Sequence, residues 1–258
     1  MMRAEGETEW EWVFFGYVRS GTAMNNKYLS ESDLCDKVIR PAIVQAGWHT
    51  FDQIYAQYPL RAGRVVVRGK TAKRDQSTVL FADFALFLKP NIPLAVVEAK
   101  KSRLSVQAGM QQAINYAELL DVPFSFASNG EGFVFRDATL ATGVLEQNIT
   151  LEQFPSPQEL WARYCKWKGW SAEVQSVAEF DYALATTAKT PRYYQLNAIN
   201  RTVEAIAAGQ NRVLLVMATG TGKTYTAFQI IHRLWKSPWR ADKPGGQKRI
   251  CSWRTATS

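Results

Sequence analysis

Two apolar stretches separated by a turn signal constrain the fold of this chain more than any other feature of its sequence. Residues 79–88 and 94–100 are apolar at most positions, and Pro90 and Asn91 lie between them. Apolar runs of this length that are bounded by turn residues indicate buried strands. The sequence therefore predicts a β-hairpin in the core of a mixed α/β fold.

Each predicted strand carries an acidic residue, Asp83 in the first and Glu98 in the second, and Lys100 follows two places later. A charge inside a core strand is costly unless it is paired or holds a metal ion. If the hairpin is centred on its turn, Asp83 lies opposite Glu98, with Cβ atoms roughly 4.5–5.5 Å apart. Lys100 shares a face with Glu98, so this register predicts three charged groups in one patch.

This charged patch has the groups that hydrolysis of a phosphodiester requires. The two carboxylates can hold Mg²⁺, which prefers oxygen ligands and retains several water molecules. The metal polarises the phosphoryl oxygen and supplies hydroxide, while a lysine orients the attacking water or offsets developing charge. The spacing alone also fits a salt bridge on a half-exposed sheet face, because Glu-x-Lys is a common sequence.

The segments around the hairpin supply the rest of a layered domain. A capping box at Ser30 starts a helix that Pro41 should interrupt and Gly47 should end. Residues 64–68 read as a short strand and residues 69–78 as a basic polar loop. Further elements are expected as a helix at 104–120, strands at 123–127 and 132–136, and a short helix at 158–168.

Composition favours a polyanionic partner and argues against a secreted or membrane protein. The net charge is +8 and the pI about 9.4, which suits nucleic acid but also fits a merely basic soluble protein. The three cysteines, Cys35, Cys165 and Cys251, form neither a disulfide framework nor a metal cluster, and they fit a reducing cytosol. No apolar run approaches the roughly 18–20 residues of a membrane span.

Basic residues flank the charged patch and suit contacts with phosphate groups, which position DNA without reading its sequence. A solvated basic face is the alternative interpretation. These residues are Arg61, Arg64, Arg68, Lys70, Lys73, Arg74, Lys100, Lys101 and Arg103.

A second unit follows Pro191, with a helix at 194–208, a strand at 212–217 and a helix at 223–236. A glycine-rich turn joins this strand to the last helix, which is the context of a phosphate-binding P-loop. Lys223 would reach the β and γ phosphates and Thr224 would bind Mg²⁺, while a turn that binds no nucleotide is the alternative. The candidate nucleotide-binding residues of the turn are Gly220, Thr221, Gly222, Lys223 and Thr224.

The order helix, three strands, helix, two strands, with Asp83 and Glu98-x-Lys100 on adjacent strands, resembles the PD-(D/E)xK nuclease superfamily. Its α-β-β-β-α-β core implies Asp83, Glu98 and Lys100 as catalytic residues and the two carboxylates as metal ligands. Gln112 and Tyr116 match the Gln-x-x-x-Tyr element that shapes the site and contacts DNA in some members.

Two positions in the nuclease pattern are less regular. Ala82 stands where the pattern often has proline, which is a common variation. Glu31 resembles the acid of the first helix, a possible further metal ligand, although Asp33 and Asp36 compete for that position.

The stretch from Met217 to Thr224 resembles the P-loop of superfamily 2 helicases, which opens a RecA-like domain. Gln195 resembles the adenine-recognising glutamine of their Q motif. A complete motor also needs an acidic strand-end motif and arginines from a second lobe, and neither follows in this chain. Residues 251–258 read as a polar tail, so the sequence suggests a truncated or frameshifted motor.

A nuclease core followed by such a motor resembles the R (restriction) subunit of type I restriction–modification enzymes over about residues 24–250. The resemblance implies cleavage of double-stranded DNA coupled to ATP-driven translocation, with Mg²⁺ and ATP as cofactors. It implies methylation and specificity subunits as partners in the cytoplasm. The expected divisions are an extension at 1–23, a nuclease domain at 24–145, a connector at 146–190 and a truncated motor domain at 191–258.

Two other classes of protein remain compatible with the sequence. The chain fits an inactive remnant that binds DNA or ATP without chemistry. It also fits a P-loop enzyme of another kind, such as a kinase, in which Asp83 and Glu98 are structural.

Overall fold

A computed structural model describes residues 29–68, 71–101, 103–183 and 191–238 of the chain. Within these ranges the structure is mixed α/β, with the helices and strands in the order given next. They are α1 (Glu31–Leu34), a π-helical segment (Cys35–Ile39), α2 (Arg40–Gln45), β1 (Ile54–Arg68), β2 (Thr71–Lys89), β3 (Ile92–Ala99), α3 (Arg103–Leu120), β4 (Phe124–Ser128), β5 (Phe133–Asp137), β6 (Glu146–Ile149), a 3₁₀ turn (Leu151–Gln153), α4 (Pro157–Lys168), α5 (Ala172–Ala178), α6 (Tyr193–Ala207) and α7 (Lys223–Lys236).

The six strands form one sheet in the order β1-β2-β3-β4-β5-β6. The β3–β4 pair is parallel, and the other neighbouring pairs are antiparallel. Helix α3 makes the crossover that a parallel pair requires. Asp83, in the interior of β2, and Glu98, near the end of β3, therefore lie on strands inside the sheet rather than at its edges.

The first hairpin is longer than the sequence predicts. Residues 71–78 belong to β2, and residues 71–75 pair with β1, with Arg64 opposite Asp75 and Arg68 opposite Thr71, so the predicted loop at 69–78 is wrong for residues 71–78. The strand predicted at 64–68 is correspondingly too short. Antiparallel pairing satisfies backbone donors and acceptors whatever the side chains are, and a polar composition therefore does not exclude a strand.

The first helical segment follows its sequence signals. Ser30 caps α1 and shares a capping box with Asp33. The helix becomes π-helical over Cys35–Ile39, directly before Pro41 in the first turn of α2. Proline lacks an amide hydrogen and cannot continue the regular ladder, which explains this local change.

Two apolar layers cover the sheet. On one face, α1, α2 and α4 pack against the strands through residues such as Ile43, Phe84, Val97 and Leu160. On the other face α3 and the start of α6 pack on the strands in a second cluster. That cluster includes Ala82, Ala85, Phe87, Val96, Ala113, Tyr116, Ala117, Leu120 and Leu196.

The segment after the sheet forms a small helical unit in which α5, α6 and α7 pack together through Val177, Ile199 and Ile230. The strand predicted at 212–217 is wrong, because residues 212–218 have no regular secondary structure. Leu214 and Val216 are 86% and 88% exposed. A strand needs a neighbour for its backbone groups, and none in the described part of the chain pairs with this segment. Among the described helices, none has the length and apolar character to cross a membrane.

Candidate functional site

Asp83 and Glu98 lie side by side at the point where the β2–β3 ladder ends. Phe84 pairs with Val97, which is the predicted register and brings Asp83 opposite Glu98. Next to the Phe84–Val97 pair, the carboxylates of Asp83 and Glu98 accept hydrogen bonds from backbone N–H groups, as backbone carbonyls do in a regular ladder. The Asp83 N–H donates to Glu98 Oε1 (3.2 Å), and the Ala99 N–H donates to Asp83 Oδ2 (2.8 Å). The predicted convergence of the two acids is therefore confirmed.

The electrostatics of this pair favour a bound cation. Glu98 is 1% exposed, and its burial, followed by the charge of Asp83, raises its pKa to about 8. The Asp83 N–H and the charge of Lys100 act in the opposite direction but do not cancel these effects. Two like charges in a poorly solvated place repel each other, and a cation between them would remove this repulsion.

Lys100 joins the pair as its neighbouring positive charge. Its Nζ lies 3.8 Å from Glu98 Oε2, and its side chain is 19% exposed. Its backbone N–H donates to the carbonyl of Ser128 (2.8 Å), which is a bond of the last β3–β4 pair, Ala99 with Ser128. The three residues predicted from the Glu-x-Lys spacing thus form one cluster, partly open to solvent at the lysine.

Gln57 is a neighbour of the site that the sequence does not indicate. Its Nε2 donates to Asp83 Oδ1 (3.1 Å), and its backbone has a φ of 48°. A positive φ is unusual for a residue other than glycine and often occurs near functional sites. No turn residue or spacing around position 57 predicts this conformation.

Gln112 and Tyr116 also come together as predicted. The Gln112 Nε2 donates to the Tyr116 hydroxyl (3.0 Å), and both line an open groove of about 740 Å³. Tyr116 is buried in the same cluster as Ala82, which directly precedes Asp83 in β2. The pair therefore lies on the α3 face of the strand that carries the acid.

The acids of the first helix have other partners. Glu31 is exposed, the Asp33 carboxylate accepts from the Ser30 N–H and pairs with Lys37, and Asp36 pairs with Arg40. No group of three or more His, Cys, Asp or Glu side chains is arranged for a metal anywhere in the described ranges. Glu31 therefore does not join Asp83 and Glu98 in such a group.

The glycine-rich turn has the backbone shape of a phosphate-binding loop. Gly220 and Gly222 have φ values of 77° and 86°, which glycine adopts readily. Lys223 begins α7, and its Nζ donates to the carbonyl of Met217 (3.3 Å) across the loop. Lys223 and Thr224 are both exposed. The helix N-terminus and the lysine are thus accessible to an anion.

Gln195 lies directly against this loop. Its Oε1 accepts from the Arg192 N–H (2.9 Å), and its Nε2 donates to the carbonyl of Thr221 (2.9 Å). A Cβ atom on Gly222 would lie 2.3 Å from this Nε2, so a side chain at position 222 would displace the Gln195 amide. The residues of the predicted Q motif and P-loop are therefore close together, although they are 26 positions apart in sequence.

The predicted basic surface is described only in part. Lys101 is exposed beside Lys100. The remaining predicted positions, apart from Lys100, lie outside the part of the chain whose side chains are described: Arg61, Arg64, Arg68, Lys70, Lys73, Arg74 and Arg103. The predicted extension at 1–23 and the polar tail at 251–258 also lie outside the described residues.

Comparison with known proteins places this arrangement in a family. Residues 188–242 match the family described as type III restriction enzyme, res subunit. The type I restriction enzyme EcoAI endonuclease subunit of Escherichia coli is 58% identical over 215 residues, which cover 83% of this chain and 26% of that protein. The EcoKI endonuclease subunit of Escherichia coli strain K12 is 26% identical over 226 residues, which cover 67% of this chain and 18% of that protein.

A solved structure agrees with these sequence relatives. A fragment assigned to an HsdR subunit of a type I restriction enzyme from Vibrio vulnificus YJ016 superposes with a TM-score of 0.70 at 38% identity. The match covers 82% of this chain and 39% of that one. The chain spans about a quarter of the length of the EcoAI subunit. It belongs to the family of type I restriction enzyme endonuclease subunits, also called HsdR subunits.

Proposed function

We propose that this chain carries the DNA-cleaving centre of a type I restriction endonuclease, built as a PD-(D/E)xK site from Asp83, Glu98 and Lys100. The observation that carries the proposal is the pair of reciprocal hydrogen bonds between Asp83 and the β3 strand. These bonds hold two carboxylates together in a place where their charges repel each other. This arrangement lowers the stability of the fold in the absence of metal, and it is expected where a metal ion binds.

The oxygen-only donor set fits Mg²⁺, which Asp83 and Glu98 would hold while water fills its remaining positions. When bound, the metal polarises a phosphoryl oxygen and lowers the pKa of a bound water molecule. Lys100 would orient the attacking water or offset the negative charge of the phosphate, because its ammonium group is beside Glu98 and its side chain is partly exposed. Gln112 and Tyr116 would shape the site and contact the DNA.

The second part of the proposal concerns nucleotide binding. Gly220, Thr221, Gly222, Lys223 and Thr224 would bind the phosphates and Mg²⁺ of ATP, and Gln195 would recognise the adenine. The contacts between Gln195 and the loop support this assignment. In the longer subunit, residues 191–258 would open the motor that translocates DNA, after a nuclease domain at 24–145 and a connector at 146–190.

The partners in this proposal are those of a type I restriction–modification complex: double-stranded DNA and the methylation and specificity subunits, in the cytoplasm. The net charge of +8 supports binding to a polyanion. The DNA sequence specificity would then come from another chain of the complex.

Cleavage of supercoiled plasmid by this chain tests the proposal. We expect nicking with Mg²⁺ or Mn²⁺, none with EDTA, and none by the Asp83→Ala or Lys100→Ala variants, both of which should still unfold cooperatively. Lys37→Ala is a matched control, since Lys37 also pairs with an acid but is exposed, in the π-helical segment Cys35–Ile39. Nicking by Asp83→Ala at the wild-type rate would show that the metal site is elsewhere.

A further inference from the structure

Gly109 in α3 leaves open the space that the Lys100 side chain occupies. A Cβ atom at position 109 would lie 2.8 Å from Lys100 Cγ and 3.7 Å from Lys100 Cε. It would also lie 3.6 Å from the Cβ of Ala127 on β4. The first distance is too short for two carbon atoms, so a side chain at position 109 and Lys100 in its present rotamer exclude each other.

Helix formation does not explain this glycine. Gly109 lies in the interior of the helix Arg103–Leu120, where glycine is less favourable than alanine. It has no positive φ that would require glycine, in contrast to Gly220 and Gly222. The close approach of Lys100 is therefore the physical reason for a residue without a side chain here.

The path of the Lys100 side chain to Glu98 runs along α3. Its backbone is held by the N–H bond to the Ser128 carbonyl, which fixes the point where the side chain starts. From there the side chain runs past the α3 backbone and ends with Nζ 3.8 Å from Glu98 Oε2. A rotation that relieved a clash at Cγ would move every later atom, including Nζ.

We propose that Gly109 is a positioning residue of the cleavage centre: the missing Cβ lets the Lys100 side chain pass α3 and holds its ammonium group beside Glu98. The proposal rests on the proposed function for the role of Lys100 in cleavage. The contact between Gly109 and Lys100 can be tested separately from that role.

The test uses Gly109→Ala in the full chain, with Gln107→Ala as the control on an exposed position of the same helix. Because alanine favours the helix, Gly109→Ala should fold. Acetylation of Lys100 by an amine-reactive reagent, followed by mass spectrometry, should become several-fold faster as the ammonium group leaves Glu98. Single-turnover plasmid cleavage at saturating Mg²⁺ should fall at least about tenfold, with DNA affinity unchanged. Gln107→Ala should change neither the acetylation rate nor the cleavage rate.

Melting temperatures provide a second arm that needs no enzymatic activity. In a Lys100→Ala background no clash exists, so Gly109→Ala should raise the melting temperature by roughly 2–4 °C. With Lys100 present the rise should be smaller or reversed. If the melting shifts of Gly109→Ala and Lys100→Ala are additive and the Lys100 acetylation rate is unchanged, the proposed contact between Gly109 and Lys100 is wrong. Faster acetylation with wild-type cleavage would confirm the contact and overturn the role of Lys100, and with it the positioning role of Gly109.

Discussion

Asp83 and Glu98 are joined through the main chain: the Asp83 N–H donates to the Glu98 carboxylate, and the N–H that follows Glu98 donates to the Asp83 carboxylate. The two acids thus complete the β2–β3 ladder with their side chains. Their separation is fixed by strand pairing, which is stiffer than a contact between two flexible side chains. A metal ion would find its ligands already in position, with little entropy left to lose on binding.

The raised pKa of Glu98 predicts a stability that depends on pH in the absence of metal. Between its ordinary value of 4.5 and about 8, the folded protein holds a proton on Glu98 that the unfolded chain releases. This stabilising contribution is complete below pH 4.5 and is lost as the pH rises to about 8. The free energy of unfolding should fall by up to roughly 1.4 kcal/mol per pH unit in this window.

Urea unfolding in EDTA across pH 5–8 measures this effect. The Glu98→Gln variant should lose the slope, because glutamine does not titrate. Glu118→Gln, at an exposed position of α3, should retain it. A wild-type slope that survives in Glu98→Gln would show that another group is responsible.

The same shift predicts how metal binding depends on pH. Mg²⁺ requires an ionised Glu98, so binding should release a proton and become tighter from pH 6 to pH 8. Asp83→Asn keeps an oxygen near the Ala99 N–H but removes the charge, and we expect the metal affinity to fall about tenfold or more. Isothermal titration with Mn²⁺ checks both points. Asp52→Asn, at an exposed position before β1, should bind like wild type.

Much of this site is predictable because the relevant signals are local. The hairpin register follows from the turn at Pro90 and Asn91, and that register places Asp83 opposite Glu98. Gln112 and Tyr116 meet because residues four apart share a helix face. Each of these relations depends only on the geometry of one hairpin or one helix.

The features that the sequence does not predict depend on contacts between segments that are far apart in the chain. Gln57 reaches Asp83 from a third strand, and Gly109 matters only because Lys100 passes over it. The polar residues 71–78 form a strand because a partner strand is available. The predicted strand at 212–217 lacks such a partner within the described residues, so apolar composition alone does not produce strand structure there.

The nucleotide-binding loop yields a prediction that compares two glycines. Gly222→Ala places a Cβ 2.3 Å from Gln195 Nε2 at a φ of 86°, whereas Gly209 has a φ of 94° with nothing within 4 Å. Both substitutions strain the backbone, but only Gly222→Ala displaces Gln195. If the chain binds a fluorescent ATP analogue, Gly222→Ala and Lys223→Ala should weaken binding at least about tenfold, and Gly209→Ala should not. Equal losses of affinity in Gly222→Ala and Gly209→Ala would show that backbone strain, and not the displacement of Gln195, weakens binding.

Arg233 should be important for the stability of the helical unit. It is 1% exposed, donates to Asn200 Oδ1 (2.6 Å) and to the Ala178 carbonyl, and lies over the ring of Tyr182. Removing the side chain leaves one buried acceptor, the Ala178 carbonyl, and one half-buried acceptor, Asn200 Oδ1, without their donor, and it opens a cavity. Arg233→Ala should therefore reduce the free energy of unfolding by about 3 kcal/mol.

Chemical denaturation measures this loss, with Lys236→Ala as the control at an exposed position of the same helix. The control should change the stability by less than about 0.5 kcal/mol. A comparable loss in both variants would mean that helix propensity, rather than the buried contacts of Arg233, sets the stability.

Cleavage by a complete type I restriction complex, with the substitution Lys100→Ala in its longer endonuclease subunit, tests the central claim most directly. DNA-stimulated ATP hydrolysis, measured in the same reaction, reports on folding and translocation independently of cleavage. The account predicts that ATP hydrolysis continues at the wild-type rate while double-strand cleavage is lost. Cleavage at the wild-type rate by this variant would contradict the assignment of Asp83, Glu98 and Lys100 as the cutting centre.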